Sequence, residues 1–368
     1  MSGLELSCRF YAEIVDPLLT GVPHSAALLG QGSEVLGFDD EVSTDHAFGP
    51  RLQVFVAGPP DAGRAEDALK RLPDEFEGFP VRFVYASKFD GAAHHQVEVT
   101  TASQFFIDRI GCDPASGMRP ADWLTSPTQH LATLVAGEVF HDPDGALATR
   151  RQALRWYPDD VWRYALASAW LRVSQEDPHI GRTGGVGDDL GSALETARVA
   201  RDLVRIAFLV ERRWAPYTKW LGTAFSRLPI ADRVGPHLAA AVHADGWRER
   251  EAAVCAAQRE LAVATNRLGL AAEVDPEPRQ FYNRDIQVLF TARFTIALAE
   301  AVTDPEVRTL IDGTGLRVRD EGRIPTLPGT IDQAVDCVDI LTHTDRCKDA
   351  QAMLGIPAAN RVPNLLRA

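Results

Sequence analysis

Gly32-Ser33-Glu34-Val35-Leu36-Gly37, then Asp39-Asp40, then Ser43-Thr44-Asp45-His46-Ala47-Phe48-Gly49-Pro50-Arg51, running into Leu52-Gln53-Val54-Phe55-Val56, is the stretch that decides the fold. Ahead of it, Ala26-Ala27-Leu28-Leu29 is an apolar run followed by glycines, the pattern of a buried strand entering a turn. Arg51–Val56 reads as a second strand, stopped by Gly58-Pro59-Pro60-Asp61. A Gly-Ser pair therefore ends one strand, and Asp45 stands shortly before the next. A third carboxylate, Glu98, sits inside Val97-Glu98-Val99-Thr100-Thr101, which alternates like a strand.

Outward from this stretch the two ends of the chain differ. Residues 9–20 predict a short helix with Phe10, Ile14 and Leu18 on one face, 38–50 a polar loop, 62–72 a helix, and Val81–Tyr85 a strand. Residues 1–115 thus predict an α+β domain, a small mixed sheet with flanking helices. From about residue 120 strand patterns vanish. Pro120 and Asp122 open a helical stretch, and Asp159-Asp160 starts a helix to about Ser174. Residues 189–213 predict a long helix with Leu194, Ala197, Leu203, Phe208 and Leu209 among its apolar positions; 236–268 and 284–302 predict two more. Residues 313–330 read as a loop. Residues 116–368 are accordingly expected to form an all-α helical domain.

The chain of 368 residues is 45% apolar and 24% charged, which fits a globular protein and excludes a disordered, collagen-like or membrane-embedded one. A net charge of −13 makes it a poor binder of phosphate backbones, so no nucleic-acid partner is expected. Basic residues are almost all Arg; the lysines are Lys70, Lys88, Lys219 and Lys348. Cys8, Cys112, Cys255, Cys337 and Cys347 are scattered and odd in number, as reduced thiols of a cytoplasmic protein would be. The first residues carry no leader pattern, and no apolar run reaches the roughly 18 residues of a membrane span. The expectation is a cytoplasmic protein with a small-molecule substrate and no membrane partner; the oligomeric state stays open.

The Gly-Ser turn and the carboxylates carry the chemistry. Free N–H groups and a hydroxyl in a turn suit a phosphate. Carboxylates on adjacent strands suit Mg²⁺, which neutralises charge developing on the phosphate oxygens. A neighbouring carboxylate can accept the proton of an attacking hydroxyl. In this layout the sequence resembles the nucleotidyltransferase superfamily that includes the aminoglycoside adenylyltransferases. Within it, GSEVLGFDDEVSTDHAFGPRLQVF, ADWLTSPTQHLATLVAGEVFHD, YPDDVW and ERRWAPYTKWLGTAF are similar to a bacterial family known only as a domain of unknown function, over roughly residues 25–340. The resemblance implies a nucleotidyltransferase-type domain followed by a helical one. It implies Mg²⁺-dependent transfer from a nucleoside triphosphate, ATP being the expected donor, to a hydroxyl or amine of a small molecule such as an aminosugar. Asp45 and Glu98 would be catalytic, and Asp45, Glu98 and His46 would face the metal. Gly32, Ser33, Arg51, Tyr217 and Lys219 would hold the triphosphate, and acidic residues of the helical domain would receive a cationic acceptor.

One departure matters. The family pattern places a second Asp where this chain has Ala47. Either His46, Asp39 or Asp40 substitutes as a ligand, or the chain binds a nucleotide as a regulatory or accessory protein without transferring it, or it is an inactivated variant. Each candidate also has a structural alternative. Gly32-Ser33 can be a plain turn, Asp45 a turn cap, and Glu98 a solvent-facing strand residue. Arg51 can simply close its loop, and Lys219 can snorkel from a core built on Trp214 and Trp220. Gly181-Arg-Thr-Gly-Gly-Val-Gly187 lacks the Lys-Ser/Thr of a P-loop and reads as a loop. Cys337, His343, Asp345 and Cys347 fit no zinc spacing.

Overall fold

The computed structural model describes residues 1–40, 49–84, 93–313, 316–319, 322–335 and 341–356. Asp45 and His46, like Ala47, Lys88 and Cys337, lie outside these described residues.

Two strands that are buried along their whole length make the middle of one sheet. β1 (Ser25–Leu28) and β2 (Leu52–Phe55) are buried at every position, as near-continuous apolar runs are when both faces of a sheet are covered. They pair antiparallel, Ala27 opposite Gln53. β3 (Val97–Thr100) joins β2 in parallel, Gln53 opposite Glu98. A parallel step needs a crossover, and helix α1 (Pro59–Leu69), with Pro in its first turn, lies in that connection. β4 (Glu138–His141) pairs antiparallel with the other side of β1, giving the order β3-β2-β1-β4. The result is a small mixed four-stranded sheet with helices, followed by a largely helical region, an α+β fold. Because β1 opposes β2 while β2 and β3 run together, the C-terminal end of β1 meets the N-terminal ends of β2 and β3.

The chain forms two compact units, Met1–Met118 with Gln129–Arg155, and Arg119–Thr128 with Trp156–Ala368. In the first, Leu6, Phe10, Val15, Leu19, Leu52, Val54 and Leu69 share one core. Each such side chain contributes about 1.5–3 kcal/mol by burial. The N-terminal helix begins earlier than the 9–20 expected. It runs from Gly3, capped by the Ser2 hydroxyl accepting from the Glu5 amide, and passes through a π-helical turn at Tyr11–Val15. Helix α2 (Ala102–Ile110) is capped by Thr101 and ended by Gly111 in the left-handed region.

Strands do not vanish after residue 120, since β4 supplies an edge to the first unit. Gly137, at φ +69°, turns the chain out of the Thr128–Val135 helix into β4. There its amide donates to the Val35 carbonyl at 2.9 Å.

In the second unit, α3 (Asp159–Gly184) and α4 (Asp189–Val210) pack together across a short connection, with Asp188 capping α4 through the Gly191 amide. Trp162 and Trp170 of α3 are fully buried. Their indole N–H groups donate to the Leu209 carbonyl at 3.0 Å and to Thr265 Oγ1 at 3.2 Å. The expected 236–268 helix is two, α5 (Ala231–His243) and α6 (Trp247–Arg267), broken where Gly246 adopts an extended conformation. The glycine-rich 181–187 stretch is not all loop. α3 continues through Pro178 to Gly184 because the glycines lie under α6: a Cβ at Gly184 would overlap the Trp247 indole, and one at Gly181 would lie 2.6 Å from Glu251 Oε2. The helix expected over 284–302 is limited to α7 (Ala292–Glu300). A hairpin, Leu316–Arg319 with Gly322–Pro325, replaces part of the expected 313–330 loop.

Candidate functional site

The end of the sheet where β1, β2 and β3 meet gathers Gly32, Ser33, Arg51 and Glu98 of the residues expected to form a site. The segment after β1 is stitched in place. The Leu29 amide donates to the buried Gln53 side chain at 2.9 Å, Gly30 N to the Thr133 carbonyl at 3.0 Å, and Phe38 N to the Ser33 carbonyl at 2.9 Å. The Gly32 and Ser33 amides donate to no acceptor among the described residues. Gly32 has φ +140°, and a Cβ there would overlap the Arg51 guanidinium. Glycine is what lets Arg51 lie against this turn.

Arg51 reaches back to the segment that follows β1. Its Nε donates to Glu34 Oε1 at 2.6 Å and its Nη2 to the Gln31 carbonyl. Both partners of this ion pair are mostly buried. Asp39, one possible substitute ligand, instead accepts from the Gly3 amide at 2.7 Å, at the start of the N-terminal helix.

Glu98 has a partner that the sequence did not reveal. Arg109, at the end of α2, donates to Glu98 Oε2 at 2.9 Å and to the Phe105 carbonyl at 3.1 Å. Its guanidinium carbon lies 3.4 Å from the centre of the Phe105 ring, a cation–π contact. Burial pulls Arg109 below the ordinary guanidinium range, and Glu98 opposes that pull. A Cβ at Gly30 would lie 3.4 Å from Arg109 Nε. The turn whose Gly32 and Ser33 amides find no acceptor among the described residues thus has two guanidiniums close to it, Arg51 at Gly32 and Arg109 at Gly30. Arg51, Glu98, Lys70 and Arg82 also line one open groove along the β2–β3 side.

These residues do not by themselves make a Mg²⁺ site. Glu34 is paired with Arg51, Glu98 with Arg109, and Asp39 with a backbone amide. A divalent cation needs carboxylates whose charge is not already neutralised by a guanidinium.

Tyr217 and Lys219 belong to the helical unit, next to and within the Thr218–Trp220 turn. Lys219 is exposed, and its Nζ lies 4.8 Å from the Trp220 ring centre. Trp214 is core: it packs against Trp156 at 4.5 Å and edge-on to Tyr157 at 4.5 Å. Elsewhere in this unit, Glu176 and His179 on α3 and Glu195 on α4 bring ligand atoms within 4.8 Å of one another. Arg198 already bonds Glu176 Oε1 at 2.9 Å. The Glu-x-x-His spacing was the available signal for this cluster. No helix among the described residues is long and apolar enough to cross a membrane.

Residues 123–221 match the family described as a domain of unknown function (DUF4037). The match covers α3, α4 and the Tyr217–Lys219 turn, and it leaves out β1, β2 and β3. No curated protein matches the chain.

Proposed function

We propose that the chain binds a nucleoside triphosphate at the Gly32–Ser33 end of the sheet and transfers its nucleotidyl group to a hydroxyl or amine of a small molecule. The observation that carries this reading is the pair of amides, Gly32 and Ser33, that lack an acceptor among the described residues, in a turn with the Arg51 guanidinium against Gly32 and Arg109 against Gly30. Aligned N–H groups and fixed guanidiniums are what a triphosphate recruits. In this reading Arg51 and the turn hold phosphate oxygens, and Glu98 is the carboxylate within reach of the acceptor's proton. Mg²⁺ is what the family resemblance implies. The described carboxylates, each already paired, do not fit it.

A second reading, binding without transfer, is favoured by Ala47 and by the Glu98–Arg109 ion pair, which occupies the third carboxylate. Calorimetric titration of each nucleoside triphosphate, with and without Mg²⁺, tests both. Saturable binding that weakens about tenfold or more in Gly32→Ala, where the new Cβ displaces Arg51, is expected. Pyrophosphate release with an acceptor panel then separates transfer from binding alone. Absence of binding by any triphosphate overturns both readings.

A further inference from the structure

The helical unit has a partly open pocket of its own between α3, α4 and residues 330–333. Its charge is opposite to that of the protein. Among the described residues, Arg172, Arg201, Arg205 and Arg213 line it against two carboxylates, Asp202 and Asp332, an excess of two positive charges in a chain of net charge −13. Among the described residues, the pairing of Arg205 and Arg213 is incomplete. Arg172 bonds Asp202 at 3.0 Å. Asp332 turns both oxygens to Thr128, accepting from its amide at 2.9 Å and its hydroxyl at 3.1 Å, so Arg205 approaches it only to 4.0 Å. Arg213 is exposed, and its side chain has no partner among the described residues.

The wall of the pocket is aromatic, with Phe208, Trp214 and Tyr157 lining it. Tyr157 is only 4% exposed, and its hydroxyl has no hydrogen-bond partner among the described residues. A buried hydroxyl without an acceptor is costly, and an anionic oxygen in the pocket would relieve it. Burial, with Asp332 nearby, pushes the Tyr157 hydroxyl far above its ordinary range, so it remains a donor.

We propose that this pocket binds a small organic phosphate. Its apolar or ring portion lies against Trp214 and Phe208, and its phosphate meets Arg205, Arg213 and the Tyr157 hydroxyl. A dianion matches the charge excess, and the guanidinium fork matches phosphate oxygens. The cationic acceptor expected of this half from the sequence is disfavoured here, because it would meet four arginines. This inference stands apart from the sheet-end reading, since its residues all belong to the helical unit.

The test uses the full chain and phenyl phosphate, followed by calorimetry and by the fluorescence of the pocket tryptophan. Saturable binding is expected, with benzyl alcohol inert and benzoate weaker. Arg213→Gln and Tyr157→Phe should each weaken phenyl phosphate about tenfold. Neither should lower the thermal midpoint, since the Arg213 side chain has no partner among the described residues to lose and Tyr157→Phe removes a hydroxyl that is unsatisfied among them. Gly32→Ala, which alters only the sheet end, should leave phenyl phosphate binding unchanged. No saturable binding at millimolar concentration, wild-type affinity in both pocket variants, or benzoate binding as tightly as phenyl phosphate overturns the assignment.

Discussion

Replacing Asp177 with Asn should flatten a large part of the protein's stability profile between acid and neutral pH. Asp177 is 6% exposed on α3, and its Oδ2 accepts from Gln258 Nε2 at 3.2 Å. Glu251 and Cys255 on α6 are the titratable groups that interact with it. Burial raises its carboxyl from 3.8 to about 7, with Glu251 adding to the rise and Gln258 opposing it. Between those values the folded protein holds a proton that the unfolded chain has released. Stability therefore falls as pH rises through this window, and the full penalty is felt above the folded value. Roughly three pH units at about 1.4 kcal/mol each set a ceiling of about 4 kcal/mol.

An Asn at 177 keeps an acceptor for Gln258 and carries no charge. Its amide also offers a donor to Gln258 Oε1, which has no partner among the described residues of the wild type. The assay is urea unfolding of both proteins across a pH series. The variant should match the wild type near pH 4 and exceed it by about 2–4 kcal/mol near pH 8. A difference that stays constant across the series would refute the reasoning, because it would mean that Asp177 does not change its proton occupancy on folding.

Other perturbations act on different parts of the fold. Gly137→Ala puts a Cβ into the Leu28 carbonyl of β1 at φ +69°; left-handed strain and overpacking together should cost about 2–5 kcal/mol, read as a lower urea midpoint. Asp113 and Arg150 form a two-pronged ion pair at 2.7 and 2.8 Å, each side chain mostly buried. Burial pushes Asp113 up, but Arg150 and the Ala115 amide outweigh it and hold the carboxyl below its usual range. Its contribution is therefore present at neutral pH and lost as pH falls through the folded value. Asp113→Asn should destabilise by about 2–4 kcal/mol at pH 7 and by less in acid, measured by the same unfolding series.

The parts of this fold that were legible in the sequence are those set by local pattern. β1 and β2 are apolar runs stopped by Gly and Pro, and β3 alternates, so the strands around the Gly-Ser turn could be read directly. β4 could not, because Val139 and Phe140 form too short a run, and they become a strand only because β1 offers a free edge. Gly181 and Gly184 looked like loop glycines; their reason is contact with α6, more than sixty residues on in the sequence numbering, where Trp247 packs. Leu194, read as an apolar helix position, is 63% exposed. At the site, the convergence of Gly32, Ser33, Arg51 and Glu98 follows from strand order. The Arg109–Glu98 pair does not, since it depends on where the end of α2 lies beside β3. The arginines of the helical pocket were equally hidden. Arg201 and Arg205 share one face of α4 by their spacing, but only the fold brings Arg172 and Asp332 to them.

The most direct test of the central claim is hydrogen–deuterium exchange of the full chain with and without saturating nucleoside triphosphate. The account predicts slowed exchange at the Gly32 and Ser33 amides, within a peptide covering residues 29–38, because those two N–H groups gain acceptors. Unchanged exchange in that peptide while triphosphate is bound, with protection only in peptides from the helical unit around 201–215, would contradict it.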